Sequence, residues 1–388
     1  MPCSLALFAL AALRHGSHDP WAPAPGSPHA VGPMAGRPHA ADMNGDGKLD
    51  LVLACGTCCG SEPDPRSGIV AVLLGDGRGG FAVARGSPVF VGSSGRKIAV
   101  GDYNEDGAPD VAVAQHDLYE LVILLGDGKG GLQPAPGSPV KAHDGERPHT
   151  HEIASADMDG DGHLDLAATL ANDRSVAILL GDGTGGFRPM PGSPFAAGRH
   201  PYDALVLEDF NGDGRRDIAV PDPGANQVTV LLRDGAGFTQ HAYPAGPRPG
   251  YLCGGDLDGD GRLDLVAMHD DEGLLLVLLG DGQGAFTRAR APQQLPAPVW
   301  GGELGDVNGD GKLDLVAGSQ GSAVSVLLGD GHGAFTPAQT LAGGAYSGYA
   351  ALGDFDGDRR PDLAAASYGD GKLHVWLNAA GHAAAPGR

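Results

Sequence analysis

The stretch Asp157-Met-Asp-Gly-Asp-Gly-His-Leu-Asp165 places carboxylates at positions 1, 3, 5 and 9 of a nine-residue loop. Four like charges this close together repel one another unless a cation lies among them. Ca²⁺ takes roughly six to eight oxygen ligands, which alternating Asp side chains and the main-chain carbonyl of position 7 supply. Gly162 permits the sharp turn that wraps the chain around an ion. The stretch therefore predicts a calcium site.

The same loop occurs seven times, at spacings of 47 to 60 residues, and such periodicity predicts a repeat architecture. Each copy precedes a short apolar run such as Leu166-Ala-Ala-Thr169. A second run, such as Val176-Ala-Ile-Leu-Leu180, ends in a Gly-Asp-Gly hairpin signal, and a looser fourth run often carries Pro-Gly-Ser-Pro. Four short antiparallel strands per unit are typical of propeller blades. We therefore expect an all-β fold, a seven-bladed β-propeller of four-stranded antiparallel blades.

The predicted metal ligands are the side chains of positions 1, 3, 5 and 9 and the carbonyl of position 7 in each loop, for up to seven Ca²⁺. In chain order these residues are Asp42, Asn44, Asp46, Lys48 and Asp50; Asp102, Asn104, Asp106, Ala108 and Asp110; Asp157, Asp159, Asp161, His163 and Asp165; Asp209, Asn211, Asp213, Arg215 and Asp217; Asp256, Asp258, Asp260, Arg262 and Asp264; Asp306, Asn308, Asp310, Lys312 and Asp314; and Asp354, Asp356, Asp358, Arg360 and Asp362. Because Asn lacks the charge of Asp, the loops that contain Asn are expected to bind more weakly. We expect the seventh to be weakest, since Arg359 replaces a turn glycine and adds a cation. Glu105 of the second loop is expected to face solvent.

The two ends of the chain predict how the ring closes. The seventh unit stops after its third strand, Leu373 to Leu377, whereas Trp21 to Pro28 is similar to the fourth strand Phe187 to Pro194. We therefore expect residues 21–378 to form one propeller that an N-terminal strand closes. Residues 1–20 are expected to be a signal peptide or a disordered leader, and residues 379–388 a disordered tail.

The charge of the chain limits its partners. Its formal net charge is −22, which argues against nucleic acid as a partner. Half of the 48 acidic residues lie in the seven loops, and seven Ca²⁺ would bring the net charge to about −8. The longest apolar run, Ser4 to Leu13, is too short to cross a bilayer, so we expect no transmembrane segment.

Seven in-phase copies of D-x-[DN]-x-D-G-x-x-D over residues 21–378 resemble the FG-GAP or VCBS repeat family, which includes the propeller of integrin α-chains, bacterial secreted proteins and a fungal lectin. The resemblance implies Ca²⁺ between strands 1 and 2 of each blade and a role in binding or adhesion. It also favours a secreted, extracellular or periplasmic protein, which we expect to be a monomer.

Basic and aromatic residues open the first strand of each unit, on the face opposite the calcium loops. The candidate ligand-binding residues are Arg37, Arg96, Arg147, Arg199, Tyr202, Arg248, Tyr251, Trp300 and Tyr349. Arg pairs with carboxylate or phosphate, and aromatic rings stack on sugars. The hypothesis is that an anionic glycan or a protein ligand binds here. The alternative is that the arginines pair with neighbouring acids and the aromatic rings cap the core.

Two other functions remain open at this point. A polysaccharide lyase or hydrolase would need an acid or base on that second face, such as His116, Asp117, His269 or Asp270. A scaffold that contacts another protein would need none. The sequence contains no G-x-S-x-G, P-loop or H-E-x-x-H pattern, so a non-enzymatic binding role is preferred.

Two smaller groups of residues have alternative interpretations. His149, His151 and Glu152 could form a transition-metal site with His143 or His116, but coincidence in a histidine-rich chain is the preferred explanation. Cys55 is expected to form a disulfide with Cys58 or Cys59 if the protein is exported.

Overall fold

The computed structural model describes residues 20–56, 68–92, 95–146, 149–295 and 297–379, without the side chain of Arg96. These residues form seven antiparallel β-sheets, the blades of a propeller. The seven-bladed prediction is confirmed. The predicted leader, the predicted tail and both partners of the Cys55 disulfide lie outside the described residues, apart from the outermost residues 20 and 379.

Strand 1 of each blade lines the central channel and strand 4 is outermost. Blade 1 contains His39–Ala41, Asp50–Cys55, Gly68–Gly75, Phe81–Val83 and Val89–Gly92; blade 2 contains Gly95–Gly101, Asp110–Gln115, Glu120–Gly126, Leu132–Pro134 and Val140–Lys141; blade 3 contains Thr150–Ala156, Asp165–Leu170, Ser175–Gly181, Phe187–Pro189 and Phe195–Ala196; and blade 4 contains Val206–Glu208, Asp217–Asp222, Gln227–Asp234 and Gly237–Pro244. Blade 5 contains Pro249–Gly255, Asp264–His269, Leu274–Gly280, Phe286–Arg288 and Gln293–Gln294; blade 6 contains Val299–Gly305, Asp314–Ser319, Ala323–Gly329 and Phe335–Ala342; and blade 7 contains Tyr349–Gly353, Asp362–Ser367, Lys372–Asn378, Trp21–Pro23 and His29–Ala30. Among the described residues the one helix is the 3₁₀ turn Ala171–Asp173.

The core lies between the faces of neighbouring blades. Strand 2 is buried along its whole length in every blade, as in Asp165–Leu170, because both of its faces are covered. One hydrophobic cluster combines Val52 and Val70 of blade 1 with Ile98 and Val113 of blade 2. The apolar runs that follow the acidic loops therefore bury both alternating sets of side chains, as central strands do.

Gly-Ser-Pro segments lie at the break of the split outer strand in blades 1, 2, 3 and 7. At the break, a serine hydroxyl replaces the missing backbone partner of strand 3, as Ser193 Oγ does when it accepts the N–H of Ile178 at 2.9 Å. Ser27, Ser87 and Ser138 make the equivalent contact in three other blades. The repeated serine thus satisfies a buried backbone donor that the outer strand leaves behind.

The N-terminal segment closes the ring as expected. Trp21–Pro23 pairs antiparallel with the last strand, with Trp21 opposite Asn378. His29–Ala30 pairs further along that strand. The Trp21 side chain is 5% exposed and packs with Val307 and Trp376 in the cluster between blades 6 and 7. The first and last described segments of the chain therefore share one sheet, in which the N-terminal strand pairs with the outer side of Lys372–Asn378.

The acidic loops and the Gly-Asp-Gly turns lie together on one face. The turn of one blade donates a backbone hydrogen bond to the loop of the preceding blade, as Gly185 N does to Tyr103 O at 2.9 Å. The first glycine of the turn has no room for a side chain, since a Cβ at Gly181 would lie 2.3 Å from the carbonyl oxygen of Leu164. Among the described residues there is no helix with the length and apolarity of a membrane span.

Candidate functional site

The side chain at position 1 organises each acidic loop. In the third loop, Asp157 Oδ1 accepts the N–H of Gly160 at 2.7 Å, and its Oδ2 accepts the N–H of Gly162 at 3.0 Å. Gly162 has φ +94°, the left-handed conformation expected for the turn. The position 5 carboxylate accepts the N–H of position 7, as Asp161 does from His163 at 2.9 Å. The loop is therefore wound tightly around its own acids.

The aspartate at position 9 holds the loop against the sheet. Asp165 is 0% exposed, and its two oxygens accept the N–H of Met158 at 2.7 Å and of Gly181 at 2.8 Å. The same pair of contacts recurs in all seven blades. Burial, followed by repulsion from Asp159 and Asp161, raises the pKa of Asp165 to about 6. Position 9 therefore links strands 1, 2 and 3, a role that the sequence did not indicate.

Three of the seven loops bring carboxylate oxygens close together. One carboxylate oxygen from each of three aspartates lies within 4.8 Å of the others in the third, fifth and seventh loops. These three are the loops with Asp at positions 1, 3, 5 and 9. Carboxylate oxygens suit Ca²⁺ better than a transition metal, which prefers nitrogen or sulfur ligands. The residues present therefore fit the predicted ion.

Basic side chains already offset part of the loop charge. The position 7 side chains of four loops form ion pairs with the position 5 carboxylate; these are Lys48, Arg215, Arg262 and Arg360. In the second loop, Glu105 is exposed as expected and contacts His163 of the next loop. Arg359 has φ +69°, so it adopts the conformation that glycine takes in the other loops.

Three of the candidate ligand-binding residues lie in the central channel. Arg37 donates to Tyr251 Oη at 2.7 Å and lies 3.8 Å from Glu303, so this arginine is held inside the channel. Tyr251 and Tyr349 are 2% and 4% exposed. These three residues therefore line the channel wall, where Arg37 pairs with Glu303 and Tyr349 donates to Asp203 Oδ2 at 3.5 Å.

Lys97 is the buried charge that the sequence interpretation missed. Its Nζ lies 3.2 Å from Glu152 Oε2, 3.7 Å from Asp203 Oδ1 and 4.3 Å from the centre of the Tyr349 ring. Burial opposes its charge, but Asp203 and Glu152 outweigh burial and hold the pKa of Lys97 well above its ordinary value. The alternation of side chains along Gly95–Gly101 could have indicated the position of Lys97, because neighbouring residues of a strand face opposite sides of the sheet.

The remaining arginines and Trp300 have different surroundings. Arg199 is exposed, and a buried carboxylate holds its backbone, since Asp222 accepts the N–H groups of Arg199 at 2.8 Å and His200 at 3.0 Å. Arg248 pairs with Asp271 at 3.0 Å and is largely exposed. Trp300 stacks on Tyr346, with ring centres 6.1 Å apart. Arg147 and the Arg96 side chain lie outside the described part of the chain.

A cavity of about 310 Å³ opens beside blades 4 and 5. Its walls are formed by His200, Tyr202, Pro223, Gly224, Arg248 and Asp270. The rings of His200 and Tyr202 stack at 5.5 Å. Burial, followed by repulsion from Asp203 and Asp271, raises the pKa of Asp270 to about 7. The cavity therefore combines an aromatic wall, a guanidinium and a carboxyl group that titrates near neutral pH.

The candidate acid or base His269 has a structural position. It is 1% exposed, and its ring nitrogens lie 2.9 Å from the carbonyl oxygen of Leu274 and 2.7 Å from that of Ala245. His116 Nδ1 lies 2.8 Å from Asp117 Oδ1. His116 also belongs to a group of three histidines on blades 2 and 3. Of the four candidates, Asp270 alone lines the cavity.

The structure brings some residues of the possible histidine site together and separates others. His116, His149 and His151 come together, with one ring nitrogen of each within 4.8 Å of the others. Glu152 pairs with Lys97 instead. His143 lies 4.0 Å from Asp173 and packs against Tyr119. Burial and the neighbouring histidines lower the pKa of His149 to about 4.

Comparison with protein families finds repeated matches to one model, described as an FG-GAP-like repeat. It matches residues 42–113, 102–168, 157–220, 209–267, 256–317 and 306–365. Each match begins at position 1 of one acidic loop and ends after the following loop, so six matches cover all seven loops. A comparison with curated protein sequences finds no match.

Solved structures with similar folds are distant in sequence. BBS1N, solved in complex with ARL6DN, gives a TM-score of 0.63 at 12% identity over 92% of this chain and 96% of that one. An Agrocybe aegerita lectin that recognises non-reducing terminal N-acetylglucosamine gives 0.50 at 21% identity over 79% and 80%. A Bacteroides fragilis protein described provisionally as a 6-phosphogluconolactonase gives 0.57 at 14% identity over 82% and 88%. These similarities concern the fold alone.

Proposed function

Because the chain belongs to the FG-GAP repeat family of β-propellers, we propose that it is a secreted or cell-surface binding module. Its acidic loops hold Ca²⁺, and its opposite face binds an anionic glycan or a protein ligand. The observation that carries the ligand part of the proposal is the cavity lined by His200, Tyr202, Arg248 and Asp270. Family members differ in ligand on one fold, so the site must specify the ligand.

Calcium has a structural role in this proposal. Extracellular modules bind Ca²⁺ with Kd values of about 10⁻⁴–10⁻³ M. At ~1 mM Ca²⁺ and a Kd of ~0.1 mM, each site stabilises the folded state by about 1.4 kcal/mol. Seven such sites together would approach the whole stability of a typical domain.

Removal of calcium is therefore expected to lower the melting temperature by more than about 10 °C. The measurement is thermal unfolding of the full chain in chelator, in 1 mM Ca²⁺ and in 1 mM Mg²⁺, which demands shorter bonds and should restore little. Equal melting temperatures in chelator and Ca²⁺ would contradict the calcium part of the proposal.

The cavity provides complementary groups for a sugar acid. The stacked rings of His200 and Tyr202 present an aromatic surface. Arg248 lines it with a guanidinium group, and such groups bind carboxylates through paired hydrogen bonds. Asp222 fixes the segment that carries Arg199 and His200, so the surface is ordered before a ligand arrives.

Binding can be measured on an array of neutral and acidic glycans and then by titration with the best ligand. We expect Tyr202→Ala and Arg248→Ala to weaken binding by about tenfold or more each, since both residues line the cavity. Arg78→Ala, an exposed arginine on the loop face, is the matched control. Unchanged binding in both cavity variants would refute this location.

One observation favours an enzymatic alternative. Asp270 has a pKa raised to about 7 by burial and neighbouring acids, and it lines the same cavity as His200. Such a carboxyl group can exchange a proton at neutral pH, as a polysaccharide lyase or hydrolase requires. Turnover of acidic polysaccharides that Asp270→Asn abolishes would favour this alternative, whereas binding without turnover favours the binding module.

A further inference from the structure

Three histidines from two blades meet at the mouth opposite the acidic loops. His116 follows strand 2 of blade 2, and His149 and His151 begin blade 3. The backbone joins these segments, since Thr150 N donates to His116 O at 3.0 Å. The ring centres lie 4.5 Å apart for His116 and His149, 4.4 Å for His149 and His151, and 5.2 Å for His116 and His151.

Two of the imidazoles have carboxylate neighbours that orient them. His116 Nδ1 lies 2.8 Å from Asp117 Oδ1, and His151 Nδ1 lies 3.1 Å from Asp203 Oδ1. A carboxylate at Nδ1 places the ring proton there and leaves the lone pair on Nε2. This carboxylate–histidine arrangement is the one that supports metal-bound histidines, because it fixes the ring and increases its basicity.

We propose that His116, His149 and His151 bind one divalent transition-metal ion, with Zn²⁺ as the expected occupant. One ring nitrogen of each lies within 4.8 Å of the others, and small side-chain rotations bring three such nitrogens to a tetrahedral ion with bonds of about 2.0–2.1 Å. Imidazole nitrogen favours Zn²⁺, Cu²⁺ and Ni²⁺ and disfavours Ca²⁺, so this site is chemically separate from the loops.

The surroundings make the site rigid but accessible. His116 and His151 are 2% and 5% exposed, whereas His149 is only half-buried and opens toward the mouth. Three protein ligands leave a fourth tetrahedral position for water or a ligand. The ring centre of Tyr202 lies 4.2 Å from that of His151, which places the histidine group beside the cavity of the proposed function.

The test is calorimetric titration of the metal-stripped full chain with Zn²⁺ in buffer containing saturating Ca²⁺. We expect one Zn²⁺ per chain with micromolar or tighter affinity. His149→Ala should weaken binding by about 100-fold, and Asp203→Asn by about 10-fold or more. His241→Ala, an exposed histidine on the outer strand of blade 4, should change nothing.

A second measurement uses the unaltered protein, so it does not depend on how a variant folds. Co²⁺ in place of Zn²⁺ should give the visible absorption of a four-coordinate ion, and Zn²⁺ should displace it. Six-coordinate Co²⁺ only, no binding of either metal, or binding that folded His149→Ala retains would each overturn the proposal. Neither measurement depends on glycan binding, so a negative result for the metal site would not contradict the proposed function.

Discussion

A single side chain, the aspartate at position 9, connects the acidic loop to the fold. Asp165 accepts two backbone hydrogen bonds with both of its carboxylate oxygens and is fully buried. Loss of such an acceptor leaves two buried N–H groups without their partner, which is costly. Position 9 thus supports the fold whether or not a cation is present, unlike the exposed position 5.

Asp165→Ala is expected to cost about 2–4 kcal/mol of unfolding free energy in chelator, and more in calcium, because position 9 is also a predicted calcium ligand. Asp161→Ala, in the same loop, should change stability little in chelator and remove stabilisation only in calcium. Urea unfolding of both variants under both conditions measures these effects. Equal losses for the two variants in chelator would contradict the separate role of position 9.

Asp270 is expected to make stability depend on pH. Burial, Asp203 and Asp271 raise its pKa to about 7, against the opposing effects of Arg248 and Lys97. The raised pKa means that its stabilising contribution is complete below about pH 4, where the unfolded chain is also protonated, and is lost as the pH rises to about 7.

Asp270→Asn removes this titration. We expect its stability relative to the unaltered protein to rise between about pH 4 and pH 7, by about 4 kcal/mol in total, since each pKa unit is worth about 1.4 kcal/mol, and to stay constant above about pH 8. Urea unfolding at pH 4.5, 6 and 8 measures this difference. Asp271→Asn, at a side chain that is 51% exposed, is the control. A difference that does not vary with pH would refute the assignment.

At the scale of elements, each blade repeats one acidic loop, whose last aspartate joins strands 1, 2 and 3. Two loops depart from the repeated sequence. Glu105 and Arg359 stand where the corresponding loops carry glycine, and both have positive φ. A side chain in this conformation costs on the order of 1 kcal/mol. Arg359 has the positive φ of the glycine that it replaces, whereas its strain and weaker calcium binding there stay predictions.

Arg359→Gly is expected to stabilise the protein by about 1 kcal/mol in chelator, because glycine adopts φ +69° without strain. Arg359→Ala removes the same cation but keeps a Cβ, so it should not be stabilising in chelator. Unfolding free energies of the two variants separate backbone strain from charge. Equal stabilisation by both would show that charge and not conformation is the cause.

At the scale of the whole molecule, ring closure depends on a strand from the other end of the chain. Trp21 packs between blades 6 and 7 with Val307 and Trp376. A propeller whose last blade loses this outer strand exposes an unpaired strand edge and its apolar face. The closing strand therefore contributes to the stability of the ring although it lies far from the other blade 7 strands in sequence.

Trp21→Ala is expected to cost about 3–5 kcal/mol, the usual loss for a large buried aromatic side chain. Trp300→Ala, at a half-buried rim position, should cost clearly less. The melting temperature and urea unfolding of both variants provide the comparison. A cost at Trp21 no larger than that at Trp300 would contradict the closing role of the N-terminal strand.

The sequence by itself determined the number of blades, the strand content, the closing strand and the positive φ at Arg359. These features depend on local residue patterns, such as seven spaced loops and the similarity of Trp21 to Pro28 with Phe187 to Pro194. Loop geometry and strand alternation act over a few residues, so a repeated pattern reveals them without knowledge of distant contacts.

Only the tertiary structure decided what surrounds each functional side chain. Arg37 contacts Tyr251 from a position 214 residues away, and Lys97 meets Glu152 and Asp203 from two other blades. The three histidines come together, whereas Glu152 pairs with Lys97. These contacts also join residues of different blades. The inner strands of all seven blades converge on one channel, and the pairing of their charges depends on distances between blades that no local pattern contains.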